Sequence, residues 1–112
     1  MNFIEYSDFE KVELRVGKVT AVEDFPEARK PAYKLSVDFG PQIGVKRSSA
    51  QATHYSKEEL LNSFVICVLN FQPKQIGPFI SECLVCGVPM LDGKAAILTI
   101  REKNVSLGGK AF

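Results

Sequence analysis

Apolar residues along this chain recur mostly at every second position, in short runs separated by glycine, proline and asparagine, the period of a strand with one buried face. Val12, Leu14 and Val16 share one face, and beyond Gly17 the apolar parity shifts to Val19 and Ala21. A glycine at such a switch predicts a β-bulge, which lets one long strand turn the corner of a small barrel. Tyr33, Leu35, Val37 and Phe39 alternate with Lys34, Ser36 and Asp38 up to Gly40-Pro41, predicting a half-buried second strand. Ile43, Val45 and Arg47 share a face of a third. The near-continuous apolar run Phe64–Leu69, bounded by Asn62-Ser63 and Asn70, reads as a fourth strand buried on both faces. Asp92-Gly93 then marks a turn into a closing strand over Ala95–Ile100.

Two capping-box spacings place the helices. Ser7 with Glu10 predicts a single turn before the first strand, and Ser56 with Glu59 opens a short helix through Leu61. A long bent strand, two more strands, a helix, a fourth strand and a closing strand is the order of an all-β, five-stranded OB-fold barrel with its helix between strands 3 and 4. The helix position disfavours an SH3-like barrel. Residues 1–112 form one domain. The last stretch carries Val105, Leu107 and Phe112, too apolar for a disordered tail, and is expected to pack on the domain or on a partner subunit.

Fourteen basic against 13 acidic residues, a formal charge of +1, exclude a uniformly basic nucleic-acid coat and leave only a local patch. Three cysteines, an odd number, without a secretory leader point to a reducing cytoplasm. Nothing reaches the roughly 18 apolar residues of a membrane span, so no membrane insertion is expected. Cys83 and Cys86 form a CxxC, but in a strand positions i and i+3 face opposite ways and cannot chelate one ion. Buried, inert cysteines are expected, with no metal and no cofactor. His54 beside Tyr55 reads as a structural or dimer-contact residue, because no nucleophile or carboxylate constellation accompanies it. Ser48 and Ser49 fail as nucleophiles for the same reason. No enzyme is expected.

The candidate binding edge is the loop Phe71–Pro78, stiffened by two prolines and a glycine and carrying Lys74 and Gln75 off the end of the fourth strand. Phe71 and Phe79 flank it as rings able to stack on a base or receive an apolar peptide side chain; Phe39 is in phase with the core. Ser48, Ser49 and Gln51 are small or polar where a core strand is apolar, and they follow Lys46 and Arg47. The charged loop Glu23–Ala32, with Arg29 and Lys30 beside Phe25, is open between a solvated connection and a contact role.

The segments DFPEARKPAYKLSVDFG (24–40), SSAQ (48–51), NFQPKQIGPF (70–79) and SECLVCG (81–87) resemble the CsaA-type secretion chaperones, a compact group of tRNA-binding-domain OB folds related to the extra domain of bacterial methionyl-tRNA synthetases and to the EMAP II-like cytokine precursor. The resemblance covers nearly the whole chain. It implies a cytoplasmic homodimer with chaperone activity towards unfolded or export-destined preproteins, and a surface of the tRNA-binding type; the alternative is a stand-alone tRNA-binding protein without a chaperone role. The wider pattern of Asn, Pro, a basic pair and a later Ser-Glu falls on Asn70, Pro73, Lys74, Gln75, Ser81 and Glu82. Gln75 stands where that pattern has a second cation, and Cys83-Leu84 where Gly-Met is usual. One fewer phosphate contact implies weaker RNA binding than in dedicated tRNA binders. The apolar ends, Phe3, Ile4 and Tyr6 with Val105, Leu107 and Phe112, also favour a homodimer, since such ends pack across a two-fold axis.

Overall fold

The computed structural model describes residues 1–112. Its strands are β1 (Leu14–Asp24), β2 (Tyr33–Asp38), β3 (Val45–Ala50), β4 (Phe64–Val68), β5 (Lys74–Ile76), β6 (Phe79–Ser81), β7 (Leu84–Val85), β8 (Gly87–Pro89) and β9 (Ala95–Ile97), with helices α1 (Tyr6–Glu10) and α2 (Lys57–Leu60). Five strands form one sheet in the order β3-β2-β1-β4-β7. The sheet curls until β3 meets the residues between β6 and β7. There the Glu82 amide donates to the Arg47 carbonyl at 2.7 Å, the Arg47 amide to the Glu82 carboxylate at 2.9 Å, and the Ser49 amide to Ser81 Oγ at 3.1 Å. The result is an OB-like barrel, closed partly by side chains rather than by a regular ladder.

β1 is the long strand around which the barrel turns, but its irregularity is at Thr20, between the pairs Val19↔Val37 and Ala21↔Ser36, and not at Gly17. Gly17 has a different role. A Cβ there would lie 2.5 Å from Val37 Cγ1 and 2.7 Å from the Phe39 ring, so the barrel interior admits only a backbone at this point. The parity shift read around Gly17 instead separates two faces: Val19 is fully buried in the barrel core, while Leu14 and Val16 line an outer groove.

That outer groove explains why β4 is not buried on both faces. Val65, Cys67 and Val68 are buried, but Phe64 and Ile66 are only half-buried, and Ile66, opposite Val16 in register, joins Leu14 in the groove. The fifth strand also differs from expectation, because β7 holds that place beside β4. Ala95–Ile97 pairs with β8 in a separate outer hairpin, tied to β4 by the Ile66 amide donating to the Leu98 carbonyl at 3.3 Å.

α2 lies between β3 and β4 as its capping box requires: the Glu59 amide donates to Ser56 Oγ and the Ser56 amide to the Glu59 carboxylate. Its Leu60 enters the core. In α1 the box uses Glu5 and Asp8, so Ser7 and Glu10 sit inside the helix rather than capping it. The carboxy-terminal stretch packs on its own domain: the Val16 amide donates to the Gly109 carbonyl, and the Gly108 and Ala111 amides donate to the Val16 and Leu14 carbonyls. Glu13 accepts from both Arg15 and Lys110 there.

Candidate nucleic-acid interface

β5 and β6 form a hairpin with Ile76 opposite Phe79, leaving Gly77-Pro78 as a two-residue turn. Gly77 has φ +58°, and glycine at the first central position matches the twist of the flanking strands. The hairpin is anchored by its inner face. Phe79 is buried and meets the Phe25 ring edge-on at 5.2 Å between centroids. With Ala32, and with Ala28 and Ile76 at the margin, the two rings make a second small core apart from the barrel's. Cations cover both rings, Arg47 at 4.8 Å from the Phe79 centroid and Lys34 at 5.7 Å from that of Phe25, each an attraction to the negative ring face.

This small core has a geometric consequence: the residues 25–32 loop is fastened opposite the β5–β6 hairpin. A cleft of about 670 Å³ runs between them, lined by Glu27, Ala28, Arg29, Lys30, Ala32, Ser49, Gln51, Lys74, Gln75, Ile76 and Gly77. Three cations there face one carboxylate. On the other side of Lys74 a hollow of about 300 Å³ is lined by Phe71, Gln72, Lys74, Ser81, Glu82, Cys83 and Leu84. Phe71, 61% exposed, presents its ring to solvent.

Of the residues expected at the binding edge, Ser49, Gln51, Lys74 and Gln75 are brought into the cleft, and Phe71, Lys74, Ser81 and Glu82 into the hollow beside it. Others are drawn into the scaffold. Phe79 is a core ring and not an exposed platform, because the Phe25 loop covers it. Ser48 is fully buried and donates to the Cys83 carbonyl at 2.8 Å. Asn70 holds the chain before β1, donating to the Lys11 carbonyl at 2.7 Å and accepting from the Glu13 amide at 3.0 Å. Arg47 is paired with Glu23 at 2.9 Å while it covers Phe79. Lys46, half-buried in β3, lines neither hollow.

Arg29 and Lys30 join the cleft from the loop whose role the sequence left open. The signal was present in Phe25 and the two prolines, Pro26 and Pro31: a stiff segment with a large ring near its start is anchored and not free. Its partner ring, Phe79, lies 54 residues further on.

The thiols divide between core and surface. Cys67 and Cys83 are buried in the barrel core, where the neighbouring Cys83 thiol, with burial, pushes the Cys67 thiol up. Cys86 is half-buried rather than buried, with desolvation raising its thiol. No three His, Cys, Asp or Glu side chains converge in a metal-binding group. His54 Nε2 donates to the Ala95 carbonyl at 2.8 Å and its ring leans on Tyr55 at 4.5 Å, so it ties α2's approach to the outer hairpin.

In its fold the chain is similar to the CsaA chaperone protein from Picrophilus torridus, at 50% identity and a TM-score of 0.91 over 98% of this chain and 100% of that one. The CsaA chaperone from Bacillus anthracis is 40% identical, with a TM-score of 0.88 over 99% and 100%. In sequence it is 36% identical over 98% of its length to a methionine–tRNA ligase of Pyrococcus horikoshii, of which it spans 15%. The ligase of Pyrococcus furiosus gives 34% over the same shares. The model of the putative tRNA binding domain matches residues 14–110, and the chain belongs to that family.

Proposed function

We propose that this protein binds tRNA, with the phosphate backbone lying in the cleft between the residues 25–32 loop and the β5–β6 hairpin. The observation that carries this reading is the gathering of Arg29, Lys30 and Lys74 into one cleft on a chain whose formal charge is only +1. A near-neutral protein binds a polyanion through such a local concentration, and counterion release supplies the affinity. Ser49, Gln51 and Gln75 add uncharged hydrogen-bonding groups, which position a backbone without reading bases. The chain corresponds to 15% of the ligase it resembles, so aminoacylation is not part of the proposal; the domain holds RNA and carries out no reaction of its own.

The test is tRNA binding measured across a salt series. Affinity is expected to fall linearly in log–log form, with Arg29→Ala and Lys74→Ala each flattening the slope; salt-independent binding would reject the cleft.

A second reading, a CsaA-like chaperone for unfolded or export-destined polypeptides, is supported by the 50% identity to the Picrophilus torridus chaperone and by apolar surface away from the cleft. Leu14, Val16, Ile66, Ile100, Val105 and Phe112 line a groove of about 530 Å³, and Phe3 and Ile4 are exposed nearby in sequence to α1. Part of this surface is assigned here to a homodimer and the remainder to clients. The free thiols fit a cytoplasmic setting. Suppression of the aggregation of an unfolded preprotein, persisting at high salt where tRNA is released, is the expected result; loss of both with salt would reject a separate polypeptide site.

A further inference from the structure

Lys74 is shared by two hollows of opposite character. On one side it stands with Arg29 and Lys30, three cations against Glu27 alone. On the other it is balanced by Glu82, and the remaining surface includes Phe71, Cys83 and Leu84. A phosphate is stabilised in the first and gains little in the second, where the nearest carboxylate repels it. A flat apolar group with a polar edge suits the second: an exposed ring to stack on, and a carboxylate able to accept from an amino group. Glu82 uses one oxygen for the Arg47 amide, and a carboxylate has further lone pairs to offer.

Building on the tRNA-binding reading of the cleft, we infer that the hollow beside Phe71 takes one unpaired nucleobase, whose own phosphate lies across Lys74 in the cationic cleft. The RNA segment it holds is therefore single-stranded, a loop, a bulge or an end, and not a continuous duplex, because a base stacked within a helix cannot turn into the hollow. The volume of about 300 Å³ is at the small end of ligand pockets and is ample for a nucleobase, and its one exposed ring offers a single stacking face. The placement of Phe71 supports this role. It follows Asn70, whose side chain is fixed at both ends by Lys11 and Glu13, so the exposed ring stands on a held backbone and little ordering is needed when a base stacks on it.

The test uses a U-rich pentaribonucleotide with a central 2-aminopurine, the same strand with a central abasic site, the matching duplex, and folded tRNA. The single strand is expected to bind more tightly than the duplex, and the 2-aminopurine emission to change on binding. Phe71→Ala should lower single-strand affinity by about 5- to 150-fold, the range for loss of one stacked base, while the salt slope and melting temperature stay as in the wild type and Phe71→Tyr restores binding. Equal affinity for the abasic and intact strands, or an unaffected Phe71→Ala, would overturn the base assignment even if folded tRNA still bound through the cleft. Failure of every RNA to bind at low salt would overturn the tRNA reading and this inference together. Loss of an apolar fluorescent peptide but not of the pentaribonucleotide in Phe71→Ala would give the hollow to a polypeptide side chain and reject the nucleobase.

Discussion

Arg47 illustrates how a residue's type misleads about its work. In the sequence it stands beside Lys46 as a phosphate contact; in the fold its guanidinium lies over Phe79 and against Glu23, and its backbone meets Glu82 on both sides. A planar cation over a ring and beside a carboxylate is satisfied without RNA. Arg47→Ala is accordingly expected to lower the melting temperature, through lost packing on Phe79, and to change the salt slope of tRNA binding less than Lys74→Ala does. A calorimetric scan beside a salt titration separates the two effects. Gly17 is the converse, a residue that reads as a bulge and instead meets a strict steric requirement. Gly17→Ala puts a methyl 2.5 Å from Val37 Cγ1 in the barrel interior, and overpacking of this kind costs about 1–3 kcal/mol; an unchanged denaturation midpoint would mean β1 can shift away from β2. Alternation in sequence cannot reveal such a contact, since it depends on which strand crosses opposite.

Among the elements, β2 was fully legible, its alternation reproduced as buried and half-buried positions from Tyr33 to Asp38, because an antiparallel strand with one core face imposes a period of two. α2 was legible through its cap. Ser56→Ala removes the acceptor for the Glu59 amide and, at about 1 kcal/mol for such a cap, should shift the unfolding midpoint measurably. The short closing elements were not legible. β7 has only Leu84 and Val85, too few for a period, and the DG turn points to a closing strand over residues 95–100, of which only Ala95–Ile97 is a strand, in an outer hairpin. The cleft was half legible: the hairpin's Lys74 and Gln75 carry a loop signature, whereas the facing Arg29 and Lys30 are placed by a ring contact between Phe25 and Phe79 that no local spacing encodes. The docked carboxy terminus adds a pH dependence. Hydrogen bonds from Arg15 first and Lys110 second hold the Glu13 carboxyl below its usual 4.5. A depressed folded-state value means that the contribution is fully present above about 4.5 and is lost as pH falls through the lowered value. Hydrogen exchange at Val16, Gly108 and Ala111 should therefore show greater opening, corrected for intrinsic rates, near pH 3 than at pH 6; equal protection would mean the backbone bonds alone hold the tail.

At the scale of the molecule the two kinds of surface lie apart in composition: a cationic cleft built by the 25–32 loop and the β5–β6 hairpin, and an apolar groove built by β1, β4 and the carboxy terminus. Met1, Phe3 and Phe112 are almost wholly exposed, and Phe112 borders the apolar groove; exposed apolar surface of this kind suits an interface. The proposed homodimer would cover part of it and leave the remainder open to clients. Sedimentation at micromolar concentration should give twice the 12.4 kDa of one chain, and Phe112→Asp should shift it towards the monomer; a wild type that sediments at 12.4 kDa would remove the dimer from the account.

Whether the cleft holds RNA by its phosphates is decided by tRNA affinity as a function of salt for the wild type and for Arg29→Ala combined with Lys74→Ala. The double variant is expected to keep the wild-type melting temperature, with a log–log slope flatter by about 1.4 to 1.8, from two lost phosphate contacts at roughly 0.7 to 0.9 each. A double variant that folds normally and binds tRNA with the wild-type slope would contradict phosphate binding there.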